Sequence, residues 1–321
     1  MKKPPTKATL LIISATLILI GIFLVIALRW LPSQPSSHFS NGNSAPGTVS
    51  DLPETGFESG STLPSESPAS SGTDTPAASG ISPNQTSTAE QKDSTPYSWG
   101  MQKRPGNQPP LVDARLQNAL AGKGFWIGDT SQKKIYLTFD CGWENGLTGQ
   151  ILDTLKEHQV PAAFFLTGSY ISRNPELVKR MAAEGHCLGN HSQTHRSFPA
   201  LSNREIQEEL KAVNEAIYQL TGQQPRFFRP PNGEFDRRTL EIAEEMGLKT
   251  LFWSLAYRDW EVDRQPGKEA AFHQVVDYVH NGAVILLHAV SQSNAEALGE
   301  IIETLKAEGY IFALPDELEK I

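Results

Sequence analysis

The hydrophobic and polar positions divide the 321 residues into three stretches of different character. The first, residues 1–30, contains an uninterrupted uncharged run from Ala8 to Leu28, flanked by Lys7 and Arg29. At about 1.5 Å rise per residue, a helix of this length matches a hydrocarbon core of roughly 30 Å. The competing interpretation is a cleaved signal peptide, whose apolar core is usually about 7–15 residues long. The pattern favours an uncleaved transmembrane anchor, with the rest of the chain outside the cytoplasm.

The second stretch, residues 31–94, is rich in Ser, Pro, Gly and Thr and has no sustained apolar period. Such a segment buries too little apolar surface to offset its chain entropy, so we expect it to be a disordered linker. A linker of this kind lets a domain held at the membrane act some distance away. A spacer without a specific partner is equally compatible with the composition.

The third stretch, residues 95–321, alternates short apolar runs with amphipathic helical patterns. Strict strand–helix alternation is typical of a parallel sheet, and the length fits a barrel slightly smaller than the eight-stranded type. We therefore predict an α/β fold, an irregular seven-stranded (β/α) barrel. Helix starts are expected at Asn174–Pro175 and, through a capping box, at Ser202 and Glu205, with Gly222 as a terminator. The predicted strands cover residues 134–140, 162–166, 187–191, 226–230, 251–255, 284–287 and 310–314.

Ionisable side chains stand at, or just after, the ends of five predicted strands. In chain order they are Asp140, His191, Arg229, Asp259 and His288. Parallel barrels and open parallel sheets place functional groups at the carboxyl ends of their strands, so we expect these five to converge at one mouth. His195, four residues after His191, adds a second imidazole that can serve the same metal ion.

Composition removes several classes of function. The formal net charge is -8 and no basic stripe is visible, which argues against binding to nucleic acid or to an anionic membrane surface. The two cysteines, Cys141 and Cys187, are too few for a disulfide-stapled scaffold. Each site motif taken alone has a simple structural interpretation. Their joint order and their strand-end placement indicate an active site.

Five motifs, in this order, resemble those of the polysaccharide deacetylases, the NodB-homology or carbohydrate esterase family 4 enzymes, whose fold is an irregular seven-stranded barrel. The resemblance covers roughly residues 130–315, and its motifs are Thr138–Gly142, His191–His195, Arg229–Gly233, Asp259–Trp260 and Leu286–His288. Within the family, three segments most resemble the delta-lactam-biosynthetic de-N-acetylases, which act on N-acetylmuramic acid in peptidoglycan. These segments are Asp140–Gly146, Trp253–Ala256 and His288–Leu298.

The resemblance implies a role for each strand-end residue. A divalent metal, usually zinc, would be held by His191 and His195 and would polarise the acetamide carbonyl. Asp140 would be the general base, oriented and kept ionised by Arg229. His288 would be the general acid that protonates the departing amine, and Asp259 would keep it charged.

The resemblance also implies which groups contact the sugar. The backbone N–H of Asn232 would help to hold the tetrahedral oxyanion. Trp260 and Trp143 would line the substrate groove. A muramic acid substrate carries a lactyl carboxylate, for which Arg173 and Arg258 are candidate cations.

Two positions depart from the common family pattern. Cys141 stands where most relatives have an aspartate as third metal ligand. Three alternatives follow: a Cys/His/His zinc site, a two-histidine site completed by water or substrate, or a disulfide with Cys187, expected on a neighbouring strand. Ala256 replaces an aspartate of many relatives. The muramic acid subgroup tolerates this change, so it weakens the general deacetylase interpretation more than it weakens catalysis.

The sequence therefore predicts a metal-dependent enzyme that removes the N-acetyl group of an amino sugar in peptidoglycan. The expected substrate is N-acetylmuramic acid, on the way to the muramic delta-lactam of spore cortex. The expected partners are glycan strands and, through residues 1–30, the cell membrane, with no nucleic acid and no obligate protein partner.

Two alternative functions remain open. One is deacetylation of N-acetylglucosamine in peptidoglycan or chitooligosaccharides. The other, of a different class, is a catalytically silent protein that binds cell-wall glycan. Retention of Asp140, Arg229, Asp259 and His288 argues against the silent protein, because binding alone needs no acid–base pair.

Overall fold

A computed structural model describes residues 94–320 of the chain. These include nearly all of the predicted catalytic domain. The predicted anchor, residues 1–30, and all but the last residue of the predicted linker, residues 31–94, lie outside the described residues. Within the described range, no helix is both long enough and apolar enough to cross a membrane.

The described chain alternates strands and helices. The strands are β1 Tyr97–Ser98, β2 Gly124–Phe125, β3 Lys134–Cys141, β4 Ala163–Leu166, β5 Cys187–Asn190, β6 Phe227–Phe228, β7 Glu234–Phe235, β8 Lys249–Leu251, β9 Val284–His288 and β10 Ile311–Phe312. The α-helices are α1 Ala114–Leu120, α2 Thr148–Glu157, α3 Gly168–Arg173, α4 Pro175–Ala183, α5 Asn203–Thr221, α6 Arg237–Glu245, α7 Lys268–Val276 and α8 Gln292–Ala307.

Most strands belong to one curved parallel sheet. Its order is β10-β3-β4-β5-β6-β8-β2, and β9 also pairs with β3. Leu255 and Ile285 form a bridge, in which Leu286 N donates to Leu255 O at 2.8 Å, so that the segment after β8 meets β9. This bridge curves the parallel sheet into a half-barrel. β1 and β7 form a separate antiparallel pair.

The predicted α/β class and the parallel sheet are confirmed, but the predicted strand count is wrong. All seven predicted strands are found, and the sheet has an eighth, Gly124–Phe125. This strand pairs with β8 through only two residues, which is too short for an alternating pattern to reveal. The fifth predicted strand, 251–255, overlaps the observed strand Lys249–Leu251 only at Leu251, so its predicted bounds are wrong.

Side chains of β3 alternate between two hydrophobic clusters. Ile135, Leu137, Phe139 and Cys141 belong to the large cluster that also contains the apolar faces of α2, α4 and α8. Tyr136 belongs to a smaller cluster formed by inward-facing strand residues. Because successive side chains of a strand point to opposite faces, Thr138 and Asp140 share the inner face with Tyr136.

Local signals explain where two helices begin. Ser202 and Glu205 form the predicted capping box at the start of α5, and Gly222 ends that helix with φ 75°. Pro175 occupies the first turn of α4 as predicted, but Asn174 makes no side-chain cap. Its amide donates instead to the carbonyl of Tyr170 at 3.1 Å, one helix earlier.

Candidate active site

A cavity of about 860 Å³ opens where the sheet strands end. Arg229 and Asp259 lie behind its wall, 0% and 1% exposed, and each contacts a group that faces the cavity. All five strand-end groups therefore meet at one mouth, as a parallel sheet requires. The predicted site residues that line the cavity are Asp140, Trp143, His191, His195, Asn232, Trp260 and His288.

Each nitrogen of the Arg229 guanidinium has a hydrogen-bond partner. Nη1 donates to Asp140 Oδ1 at 2.7 Å and to Thr138 Oγ1 at 3.0 Å. Nε donates to the carbonyl of Leu251 at 3.0 Å, and Nη2 to that of Phe252 at 3.3 Å. The planar fork of arginine suits such a fixed set of acceptors. Arg229 thus ties the catalytic end of β3 to the end of β8.

Asp140 is ionised in this setting. Burial by itself raises the pKa of its carboxyl, but the charge of Arg229, supported by that of His288, outweighs burial, and the net pKa lies below the usual range. A carboxylate in a cavity that remains charged at neutral pH can accept a proton from a bound water. The geometry therefore suits the predicted general base.

The ring of His191 presents a lone pair to the cavity. Its Nδ1 lies 2.8 Å from the carbonyl oxygen of Arg229, which only accepts, so Nδ1 carries the proton. Burial lowers the pKa of His191 to about 4, although Asp140 acts in the opposite direction. The unprotonated Nε2 then faces Asp140 Oδ2 at 3.4 Å. A lone pair opposite a carboxylate is repulsive, and a cation beside both atoms removes that repulsion.

The segment His191–His195 is a tight turn. Ser192 and His195 have φ of 68° and 59°, in the left-handed region that non-glycine residues seldom occupy. The two imidazole rings lie 4.9 Å apart at 77°. Ser192 Oγ accepts from the N–H of His195 at 2.9 Å, and Glu209 Oε2 accepts from the N–H of Thr194 at 2.7 Å. These bonds hold the second histidine beside the first.

Glu209, which is only 4% exposed, is a site residue that was not predicted from the sequence. The available signal was its position in α5: it follows Ile206 by three residues and precedes Val213 by four, which places a charge on the apolar face of the helix. A buried carboxylate requires partners, and the turn that carries His195 provides them.

His288 and Asp259 form the second charged pair of the site. His288 Nδ1 lies 2.7 Å from Asp259 Oδ1, and the backbone N–H of His288 donates to Asp259 Oδ2 at 2.8 Å. Burial lowers the pKa of His288, but the charge and hydrogen bond of Asp259 outweigh it and the net pKa is raised. Nδ1 is thus engaged, and Nε2 of the protonated ring is the atom left to donate a proton.

Cys141 is separated from the histidines by the alternation of β3. Its side chain is 0% exposed and belongs to the cluster between sheet and helices. Among the residues that the structure describes, no group of three or more His, Cys, Asp or Glu side chains can hold a metal ion. The Cys/His/His alternative therefore finds no support in the geometry, which favours the two-histidine site.

The predicted alternative of a Cys141–Cys187 disulfide is wrong, because both cysteines are free. β4 lies between their strands, so they are not neighbours as expected. In the sheet register, Cys187 is aligned with Ala163 and Thr138 rather than with Cys141. Two strand spacings of about 4.8 Å already exceed the roughly 7 Å between Cα atoms that a disulfide tolerates.

Two tryptophans and an asparagine line the mouth of the cavity. Trp143 and Trp260 are 46% and 48% exposed, and the Trp260 ring lies 5.4 Å from that of His288. Asn232 is exposed, with φ 56°, within the turn that follows Arg229. Exposed aromatic faces beside a polar centre are suited to stacking on sugar rings.

Comparison with known proteins places this geometry in a family. The polysaccharide deacetylase family model matches residues 127–251. The peptidoglycan-N-acetylmuramic acid deacetylase PdaA of Bacillus subtilis is 43% identical over 233 residues, which cover 72% of this chain and 88% of that relative. The chain belongs to the polysaccharide deacetylase family. The predicted family is thereby confirmed.

Solved structures of relatives agree with the fold of this polysaccharide deacetylase. The structure of Bacillus subtilis PdaA, described as a family 4 carbohydrate esterase, matches with a TM-score of 0.68 at 42% identity, covering 70% of this chain and 97% of that one. A CE4-family pseudoenzyme from Bacillus anthracis matches with a TM-score of 0.57 at 28% identity, covering 72% and 91%. The fold alone therefore does not decide activity, and the site residues must.

The site of this polysaccharide deacetylase can support acid–base hydrolysis of an amide. It holds a carboxylate whose pKa is lowered, Asp140, and an imidazole whose pKa is raised, His288, at one cavity. Opposite shifts in the pKa values of two such groups separate the base from the acid. His191 and His195 offer two neutral nitrogen ligands, a donor type that suits zinc. Their donor set and the exposed lone pair of His191 fit a divalent metal.

Proposed function

We propose that this chain removes the N-acetyl group of N-acetylmuramic acid in peptidoglycan. The observation that carries the proposal is a pair of ionisable groups at one cavity whose pKa values are shifted in opposite directions. Asp140 is paired with Arg229, and His288 is paired with Asp259. A protein that only bound glycan would need neither. The activity in the name of the relative PdaA supports the choice of reaction.

The residues suit a direct hydrolysis. His191 and His195 would hold a divalent metal, most simply zinc, which when bound lowers the pKa of a water and polarises a carbonyl. Asp140 takes a proton from the attacking water as the water oxygen bonds to the acetyl carbon. His288 then donates its Nε2 proton to the amide nitrogen as the C–N bond breaks, releasing acetate and the sugar amine. Asp259 stabilises the imidazolium until that step.

Other groups at the mouth would bind the substrate. The backbone N–H of Asn232, in a left-handed turn, would donate to the oxyanion. Trp143 and Trp260 would stack on the sugar rings of the glycan strand. These assignments rest on the cavity lining and on the family pattern together.

Muramic acid differs from glucosamine by its lactyl carboxylate, which a cation in the cavity would recognise. Arg173, at the end of α3, is exposed and lines the cavity next to Ser169 and Ser172. Arg258 instead lies 3.5 Å from Glu261 and is not part of the lining. Of the two candidate cations named from the sequence, Arg173 is therefore the one that we propose for the lactyl carboxylate.

The cellular setting completes the proposal. The anchor expected at residues 1–30 would hold the enzyme at the outer face of the cell membrane, with peptidoglycan within reach of the linker. A free lactyl carboxylate beside the new amine permits closure to a delta-lactam, the form found in spore cortex. Deacetylation of N-acetylglucosamine remains the alternative, since the peptidoglycan-N-acetylglucosamine deacetylase PgdA of Listeria monocytogenes is 37% identical over 188 residues.

Acetate release from N-acetylated peptidoglycan by the full-length chain tests the proposal. We expect release that stops with a chelator, returns with zinc, and is lost in Asp140→Asn. Mass spectrometry of the digested glycan should place the loss of acetyl on muramic acid. Loss from glucosamine would support the alternative substrate. Glycan binding without any acetate release, at any metal supplied, would refute the enzyme and favour a silent binder.

A further inference from the structure

The carboxylate of Asp259 accepts one hydrogen bond that does not come from His288. Its Oδ1 accepts from His288 Nδ1 and its Oδ2 from the His288 backbone N–H. The remaining bond to Oδ2 comes from Asn294 Nδ2, at 2.5 Å. Asn294 is 1% exposed and lies in the first turn of α8, within the segment His288–Leu298 that resembles the delta-lactam-biosynthetic subgroup. The roles assigned above leave this amide unused.

The orientation of the Asn294 amide is fixed from its other side. The hydroxyl of Tyr257 donates to Asn294 Oδ1, so Nδ2 is the end that faces Asp259. Burial, and then the charge of Asp259, raise the pKa of Tyr257, so that its hydroxyl keeps the proton it donates. The Asn294 backbone N–H is held as well, by Ser291 Oγ at 3.2 Å. A chain of defined donors thus runs from Tyr257 through Asn294 to Asp259.

Among the described residues, the Asp259 carboxylate has one hydrogen-bonding partner besides Asn294, namely His288. Without Asn294, Asp259 Oδ2 would keep only the bond from the backbone of His288, and the carboxylate would have fewer restraints against rotation. The 2.7 Å contact between Oδ1 and Nδ1 depends on that orientation. A third hydrogen bond from a neutral donor also stabilises the buried charge without competing for the proton of His288.

We propose that Asn294, oriented by Tyr257, is a positioning residue that holds Asp259 in the geometry His288 needs to protonate the leaving amine. It contacts neither the cavity nor the reacting atoms and acts only through Asp259. The proposal rests on the deacetylase function proposed above. It predicts that the contribution of Asn294 to turnover exists only while residue 259 is a carboxylate.

A double-mutant cycle measures that dependence. The variants are Asn294→Leu, Asp259→Asn and their combination, made in the full-length chain and assayed by acetate release from peptidoglycan. We expect Asn294→Leu to lower kcat about tenfold with little change in KM, which is the scale of one lost hydrogen bond to a charged group. In the Asp259→Asn background the same substitution should lower kcat no further.

Tyr257→Phe provides a second variant that preserves packing, and it is decisive if Asn294→Leu does not fold. It should lower kcat by a smaller factor, again only while Asp259 is present. Tyr310→Phe is the matched control, because it removes a hydroxyl that donates to Asn107 Oδ1 at 2.9 Å, away from the cavity lining. Its kcat should equal that of the wild type.

The outcomes separate this inference from the function on which it rests. A wild-type chain that releases no acetate refutes the function. An active wild type in which Asn294→Leu or Tyr257→Phe leaves kcat unchanged overturns the inference. So does a loss of kcat that persists in full in the Asp259→Asn background, because such a loss does not pass through the carboxylate.

Discussion

Replacing Arg229 with methionine tests whether a buried guanidinium keeps the catalytic carboxylate ionised. Arg229 is 0% exposed and donates to Asp140, Thr138 and two backbone carbonyls. Removing one partner of a buried ion pair costs about 3–5 kcal/mol, because the other charge stays buried without compensation. Methionine fills similar volume, so the loss is electrostatic rather than a cavity. We expect a destabilisation of that size near neutral pH.

The pH dependence of this loss has a definite sign. In the wild type the net pKa of Asp140 is below its usual range, so its contribution to stability is present above the unfolded pKa and is lost as the pH falls through the folded one. Without Arg229, burial is the largest remaining influence, and the folded pKa should rise above the unfolded one. The variant should then be relatively more stable in acid and lose stability as the pH rises.

Urea unfolding of the full-length chain, followed by circular dichroism, measures both effects. The free energy of unfolding is compared for the wild type and Arg229→Met near neutral pH and at about pH 5. Asp140→Asn combined with Arg229→Met is the control, because removing both charges should recover part of the loss. A single-variant loss below about 1 kcal/mol, or no recovery in the double variant, would refute the reasoning.

Three further substitutions probe the rest of the site. Asp259→Asn removes the charge that, against the effect of burial, raises the pKa of His288, so the alkaline limb of the kcat profile should move to lower pH; an unmoved limb would exclude His288 as the general acid. The zinc concentration that restores half of the activity of chelated enzyme should be the same in Cys141→Ala as in the wild type. A rise of about tenfold in that concentration would show that the thiol is a metal ligand. Arg173→Met should raise KM for muramic acid glycans about tenfold at similar kcat, with Arg258→Met as the unaffected control; equal rises would contradict a lactyl site at Arg173.

The placement of the site could be predicted from sequence because it depends on two short-range patterns. Alternation along Ile135, Leu137 and Phe139 identifies β3 and puts Asp140 on its other face. Parallel topology then brings the strand ends together without any knowledge of the loops. This is why Asp140 and His288, far apart in the chain, could both be expected at one mouth.

The features that could not be predicted from the sequence depend on sheet order and on loop conformation. The expected proximity of Cys141 and Cys187 required β3 and β5 to be neighbours, and chain order cannot exclude the strand between them. The positive φ of Ser192 and His195 likewise arises from a turn held by a distant side chain, Glu209. Contacts of this type are set by tertiary packing, which local patterns do not encode.

The register of β3 bears on how this enzyme could change over generations. Residues Tyr136 to Asp140 are paired with Val284 to His288 on one side, and Thr138 to Cys141 with β4 on the other. A one-residue insertion or deletion within β3 would exchange its two faces and put Phe139 or Cys141, respectively, where the base belongs. Point changes at position 141 instead face the helices and leave the proton chemistry intact. Position 141 therefore tolerates substitution, whereas β3 does not tolerate a change of length.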